Sequence, residues 1–206
     1  QYLHEQGFSA LALYGELEQR ELDQWLAQFA NRSCSVLVAT DVASRGLDIA
    51  QLEAVINVTI TPAAEVHVHR IGRTGRAGET GLALSLASMD EMGSVGKIEQ
   101  YLKQEAPWYP RDELTPTGSG PLLPPMVTLQ LLGGRKEKIR PGDVLGALTK
   151  DAGLPAAQIG RITVNPFATY VAVARELAPR ALQALNERPV KGKRVKARVL
   201  DASAET

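Results

Sequence analysis

The sequence predicts two domains: an α/β domain whose parallel sheet has helices on both faces, then a smaller α+β domain ordered β-α-β-β-α-β. Three observations carry this. Short apolar runs alternate with amphipathic stretches through residues 1–105, the pattern of a parallel sheet with crossover helices. Ala106–Pro125, APWYPRDELTPTGSGPLLPP, is crowded with proline around Gly118, Ser119 and Gly120. Proline fixes φ and removes backbone donors, so this segment reads as a linker. Residues 126–200 then change pattern, and 201–206 form a short polar tail.

Each element follows in order. Ala10–Tyr14 is a short apolar strand. Leu17–Phe29 places Leu22, Leu26 and Phe29 at helical spacing. Val36–Ala39 is a continuous apolar run, as expected of a strand buried on both faces. Val55–Ile60 and Leu82–Leu86 are further strands, and Glu65–Ile71 and Met89–Gln104 are helices. In the second domain Val127–Leu132 is a strand, followed by a glycine-rich basic loop, Gly133–Arg140. Pro141 can open a helix running to about Ala152. Ile159–Val164 and Tyr170–Ala174 are strands joined through Asn165-Pro166-Phe167. Pro179 can open a second helix, to about Asn186, and Arg194–Leu200 closes the domain as a strand. This is the split βαβ arrangement, which RNA-recognition-motif domains use.

The formal net charge of zero conceals an asymmetry. Residues 1–123 hold 9 Lys and Arg against 16 Asp and Glu, a net −7, and residues 124–206 hold 14 against 7, a net +7. A basic end points to nucleic acid. No apolar run is long enough to span a membrane, and the chain shows no signal-peptide pattern. Beginning at Gln1, it reads as cut from a longer protein. The lone cysteine, Cys34, excludes an intramolecular disulfide, fits a reducing cytoplasm, and reads as a small buried residue beside a strand.

Two motifs in the first domain carry chemistry. Ala39-Thr40-Asp41-Val42-Ala43-Ser44-Arg45-Gly46-Leu47-Asp48 follows the buried strand directly. Its hydroxyl, carboxylate and bare N–H groups lie where open α/β sheets bind ligands. An ordinary strand-to-helix turn with an aspartate cap would look the same. His69-Arg70-Ile71-Gly72-Arg73-Thr74-Gly75-Arg76-Ala77-Gly78 interleaves three arginines with glycines. Glycine lets backbone approach a ligand and the guanidinium fork matches phosphate oxygens, although a solvated charged loop is the alternative.

Together, ATDVASRGLDI and HRIGRTGRAG, about 30 residues apart in this order, resemble motifs V and VI of the DEAD-box RNA helicases. The resemblance implies a RecA-like lobe over about residues 1–105, a nucleotide held between two lobes, and ATP-dependent unwinding of short RNA duplexes. By position, Arg73 and Arg76 match arginine fingers that reach the γ-phosphate. Asp48 matches the ribose contact, and His69 the residue linking the nucleotide to the lobe interface. Thr40, Arg45 and Gly46 match residues at the RNA backbone, with Asp41 supporting that loop, and Arg70 matches a residue pairing with carboxylates across the lobes. Upstream, Gln19 fits a family RNA contact, but Tyr14 stands where the family has His and Leu22 where it has Arg, with Arg20 nearby. The chain contains no G-x-x-x-x-G-K-[ST] loop and no Asp-Glu-Ala-Asp string. The resemblance therefore implies that ATP and Mg²⁺ belong to the complete enzyme, with Mg²⁺ held by the other lobe, and that this chain alone is inactive. No metal site is expected in it.

In the second domain, Arg135, Lys136, Lys138, Ile139 and Arg140 form one basic run, and Lys191–Arg198, including Lys193 and Arg194, forms another. Either could be a solvated face; two runs on a domain of net +7 point to phosphate contacts. Tyr170 is the single aromatic on the two strands where recognition motifs stack bases, and it can be either core or platform. GGRKEKIRPGDVLGALTKDAGL resembles the RNA-binding domain of the DbpA/YxiN subfamily of bacterial DEAD-box helicases. That resemblance implies a RecA-like parallel sheet followed by an RRM-like domain. It also implies a monomer acting with its first RecA-like lobe on 23S ribosomal RNA and pre-50S particles during large-subunit assembly, with Lys138, Ile139 and Arg140 in the RNA-contacting loop. Two readings compete: a non-enzymatic structured-RNA-binding protein, and a helicase of another class such as a DNA-repair motor.

Overall fold

The computed structural model describes residues 1–15, 17–41, 52–75, 80–115, 118, 120, 121 and 123–200. The chain packs as two units, residues 1–45 with 118–206, and residues 46–117. The sequence reading divides the chain at the proline-rich linker; packing instead groups the first 45 residues with the basic domain.

In the first unit, α1 (Tyr2–Glu5) leads to β1 (Ala10–Leu13), which pairs in parallel with β2 (Val36–Ala39). Between them runs α2 (Gln19–Ala30), whose first turn is fastened by the Glu18 N–H donating to Glu21 Oε2 at 3.1 Å. The expectation of a strand buried on both faces does not hold for β2: Val38 is 48% exposed. A strand is covered on both faces only where layers pack on both, and among the described residues β2 pairs with β1 alone. Cys34 is buried beside β2, and burial pushes its thiol pKa up.

The second unit contains β3 (Ala54–Asn57) paired in parallel with β4 (Leu82–Ser85). It also contains α3 (Ala64–Ile71) and α4 (Met92–Leu102). Among the described residues from Ala106 to Pro125, one short turn at Arg111–Glu113 is the only helical element and no strand forms.

Among the described residues, the main cluster of buried hydrophobic side chains lies in the basic domain. β5 (Met126–Leu131), β6 (Ile159–Val164), β7 (Thr169–Ala174) and β8 (Ala197–Leu200) form one antiparallel sheet in the order β6-β7-β5-β8. With α5 (Pro141–Gly146), widened into a π-type turn at Ala147–Asp151, and α6 (Ala178–Glu187), this completes β-α-β-β-α-β. The two central strands send alternate residues to opposite faces. Leu129, Leu131, Val171 and Val173 pack with Val144, Leu148, Ala181 and Leu185 in one core. Each fully buried Leu or Val there contributes roughly 1.5–3 kcal/mol.

The opposite sheet face carries Thr128, Gln130, Tyr170 and Ala172, and these are buried too. Helix α2 and the chain after it lie against them. Asn31 Nδ2 donates to Thr128 Oγ1 at 3.0 Å, and the Ser33 and Thr128 hydroxyls are 2.6 Å apart. No helix among the described residues is long and apolar enough to cross a membrane.

Candidate functional site

The glycine–arginine motif sits at the C-terminal end of α3. Gly72 N–H donates back to Val68 O at 2.9 Å, ending the helix, and Arg73 and Thr74 close a further turn on Arg70 and Ile71. Leu52 N–H donates to Arg73 O at 3.0 Å, and Thr74 Oγ1 donates to Leu52 O. A Cβ on Gly81 would strike Thr74 and the Gly75 N–H, so the loop seats against bare backbone there. Gly75 has φ +65°, a left-handed conformation that glycine adopts without penalty.

Beside this brace Val68, His69, Gly72, Arg73, Thr74 and Gly75 line a shallow, open depression of about 500 Å³. His69 is exposed and Arg73 half-buried at its edge. The donor set (a guanidinium, an imidazole and glycine backbone) suits a polyphosphate. Arg70 turns the other way, donating to Thr59 O at 2.9 Å, which ties α3 to the end of β3. Neighbouring His67 is buried; burial, then the charge of Arg70, holds its pKa below the usual histidine value. Arg76 lies outside the described residues, as do Arg45, Gly46 and Asp48. Thr40 and Asp41 follow the carboxyl end of β2, the first exposed and the second half-buried.

Gln19 opens α2 and is exposed; its amide donates to Asp23 Oδ1 at 2.9 Å. Asp23 Oδ2 in turn accepts from Asn165 Nδ2 at 3.1 Å, joining α2 to the β6–β7 turn. Tyr14, in place of the family's histidine, sets its ring edge-on to Trp25 of α2, centroids 6.0 Å apart.

The two basic runs, separate in sequence, converge. After Gly134, residues Arg135–Glu137 form a tight turn that Lys138 closes in a left-handed conformation, φ +62°. Lys191, itself at φ +52°, reaches across, its Nζ donating to Lys138 O at 2.7 Å and lying 3.5 Å from Asp143 Oδ2. Glu137 Oε2 accepts the Gly134 N–H at 2.7 Å. That bond, with the charges of Lys193 and Lys136 adding to it, holds the Glu137 carboxyl below the usual carboxylate range. Arg140 caps α5: its N–H donates to Asp143 Oδ2 at 2.8 Å and its side chain stays exposed. Arg135, Lys136, Lys138, Arg140, Lys191, Lys193 and Arg194 are all exposed. Lys193 and Arg194 precede β8, which begins at Ala197 and not at Arg194.

Two of the residues expected at RNA are buried. Ile139 is 2% exposed and belongs to the core, because the left-handed turn at Lys138 reverses the chain and drives the next side chain inward. Tyr170 is also 2% exposed and cannot stack a base. It lies opposite Gln130 on the covered sheet face, where burial pushes its phenol up. Phe167, read at first only as part of a turn, is by contrast exposed, with Lys136 Nζ 4.1 Å from its ring centre.

The Glu137 carboxylate predicts a pH dependence. Its folded value lies below its unfolded one, so its contribution to the loop is complete above the ordinary glutamate value. The contribution is lost as pH falls through the depressed value. A carboxyl NMR titration is expected to place the Glu137 midpoint below the ordinary glutamate value; a midpoint at or above that value would remove this fastening.

Residues 1–78 match the helicase conserved C-terminal domain, and residues 128–199 match the DbpA RNA binding domain. The chain is 49% identical over 200 residues to the ATP-dependent RNA helicase DbpA of Escherichia coli (strain K12), covering 96% of this chain and 43% of the relative. Against the ATP-dependent RNA helicase DbpA of Bacillus subtilis (strain 168) it is 33% identical over 214 residues, covering 94% and 45%. The crystal structure of the E. coli DEAD-box protein SrmB bound to regulator of ribonuclease activity A aligns with a TM-score of 0.52 at 35% identity, covering 59% of this chain and 71% of that one. The fold of the first domain is therefore that of the RecA-like C-terminal helicase lobe. The chain belongs to the DEAD-box RNA helicases, and its second domain sets it on the DbpA branch of that family. It spans less than half the length of the two curated relatives.

Proposed function

We propose that this chain is the RNA-anchoring and phosphate-sensing half of an ATP-dependent RNA helicase. In the complete protein a first RecA-like lobe would supply the P-loop, the Asp-Glu-Ala-Asp string and Mg²⁺. When bound, ATP and Mg²⁺ supply the cleavable phosphoanhydride and the charge that draws the lobes together. This chain's part is to aim Arg73, with Arg76, at the γ-phosphate, seat the ribose at Asp48, and hold the RNA backbone through Thr40, Arg45, Gly46 and Gln19, with Asp41 supporting that loop. The basic domain would fasten the enzyme to one structured RNA, a hairpin of 23S ribosomal RNA on pre-50S particles. That raises the local concentration of neighbouring duplexes. The enzyme would work as a cytoplasmic monomer.

The observation that carries this reading is the convergence of Arg135–Arg140 with Lys191–Arg194 into one cationic surface, locked by Lys191 on the Lys138 carbonyl. Lys138 gives the sharpest test. A left-handed φ at a non-glycine residue costs roughly 1–2 kcal/mol, and glycine would relieve it. Lys138→Gly is expected to leave thermal stability equal or higher, yet to weaken hairpin binding and reduce its salt slope by about one ion. Arg140→Ala is expected to weaken binding with stability unchanged. A Lys138→Gly protein that bound RNA as tightly as the parent, with the same salt slope, would sink the proposal.

A further inference from the structure

We propose that Phe167, roofed on one side by Lys136, is a stacking site for an unpaired nucleobase of the RNA that the basic surface holds. The inference rests on the function proposed above and adds a subsite to it. Isolated exposed apolar side chains are ordinary, so exposure alone argues nothing. Phe167 differs in three ways.

First, it stands at the tip of a stiff turn. Asn165 N–H donates to Ala168 O at 2.8 Å, closing the turn between β6 and β7. Arg135 N–H donates to Asn165 O at 2.9 Å, Lys136 N–H to Pro166 O at 3.0 Å, and the Arg135 guanidinium to Val164 O at 3.0 Å. Proline at 166 removes further freedom. A ring held this way loses little entropy when a base lands on it.

Second, the ring is 66% exposed although Lys136 Nζ lies 4.1 Å from its centroid. An ammonium over one face leaves area for a flat, electron-rich partner, and it gives the phosphate beside that partner a counter-charge. Third, the sheet face where such domains ordinarily stack bases is buried here, with Thr128, Gln130 and Tyr170 all inaccessible. Phe167 is thus the exposed aromatic ring borne by the basic surface. Stacking of this kind tolerates any base, so the subsite takes an unpaired nucleotide without sequence preference.

The test uses the 206-residue chain and two RNAs, a hairpin with an unpaired flank and the same hairpin fully paired. Phe167→Ala is expected to weaken binding of the flanked hairpin on the order of ten-fold and that of the paired hairpin hardly at all. Phe167→Tyr should retain parental affinity for both. 2-Aminopurine walked along the flank should be quenched at one position by the parent and not by Phe167→Ala. If Phe167→Ala binds both RNAs like the parent, or loses both equally, the stacking site is wrong. In that event an Arg140→Ala loss measured alongside would show that the basic surface itself stands. If the parent binds neither RNA, the underlying reading falls and the subsite with it.

Discussion

Replacing Arg73 by alanine in the complete two-lobed enzyme is expected to reduce RNA-stimulated ATP turnover by roughly 10³–10⁵. The size follows from the role proposed above for the guanidinium. Negative charge spreads over the equatorial oxygens of the transferring phosphoryl group, and a preorganised cation there acts most strongly where charge develops. The loop that carries Arg73 is already formed: α3 ends at Gly72, Leu52 fastens the Arg73 carbonyl, and Gly81 seats Thr74 and Gly75. Alanine would therefore remove the cation and leave the loop. Lysine would restore charge without the planar fork and should recover only part of the rate. Hairpin affinity should be unchanged, because the basic surface lies on the other packing unit. Single-turnover ATP hydrolysis and hairpin binding measured on the same preparation check both halves. A loss below about ten-fold would show that Arg73 does not act on the transferring group.

Gly134→Ala should have the second-largest effect. A Cβ at this position would fall on the Asn165 carbonyl oxygen and within 2.8 and 2.9 Å of Ala168 N and Pro166 C. Those atoms are backbone and cannot swing aside. The basic loop would have to lift off the β6–β7 turn, costing about 1–3 kcal/mol as overpacking does. It would also part Arg135 and Lys136 from the turn that bears Phe167. A lower denaturation midpoint together with weaker hairpin binding is expected. Gly142→Ala, in a helix with open space at its Cβ, serves as the control and should be at least as stable as the parent. Parental stability in Gly134→Ala would mean the loop is not seated as described.

The strands and helices of the basic domain were legible because each has a strong local signature. Alternating polarity marks the last strand, although it begins at Ala197 and not at Arg194, and Pro141 and Pro179 sit in the first turns of their helices. The arginine motif was legible because glycine, arginine and threonine recur at tight spacing with no competing apolar period. What sequence could not disclose is tertiary. Arg135–Arg140 and Lys191–Arg194 lie some 50 residues apart, and nothing local to either says they share a surface. Ile139 sits among charges and reads as a surface residue; only the left-handed backbone at Lys138 turns it inward. Tyr170 was open between core and platform because strand alternation says which face a residue takes, not whether that face is covered. Phe167 had a usable signal in retrospect: an aromatic after Asn-Pro in a turn, opposite a Gly-Gly pair that invites close backbone approach.

Asp23 divides its carboxylate between two structures, one oxygen taking the Gln19 amide at the head of α2 and the other the Asn165 amide in the turn that bears Phe167. It works as a rivet. The first of these bonds stays within α2 and the second leaves it, so the same carboxylate that orders the head of the helix also moors the turn. Loss of that one side chain would therefore release two amides at once, one on each structure.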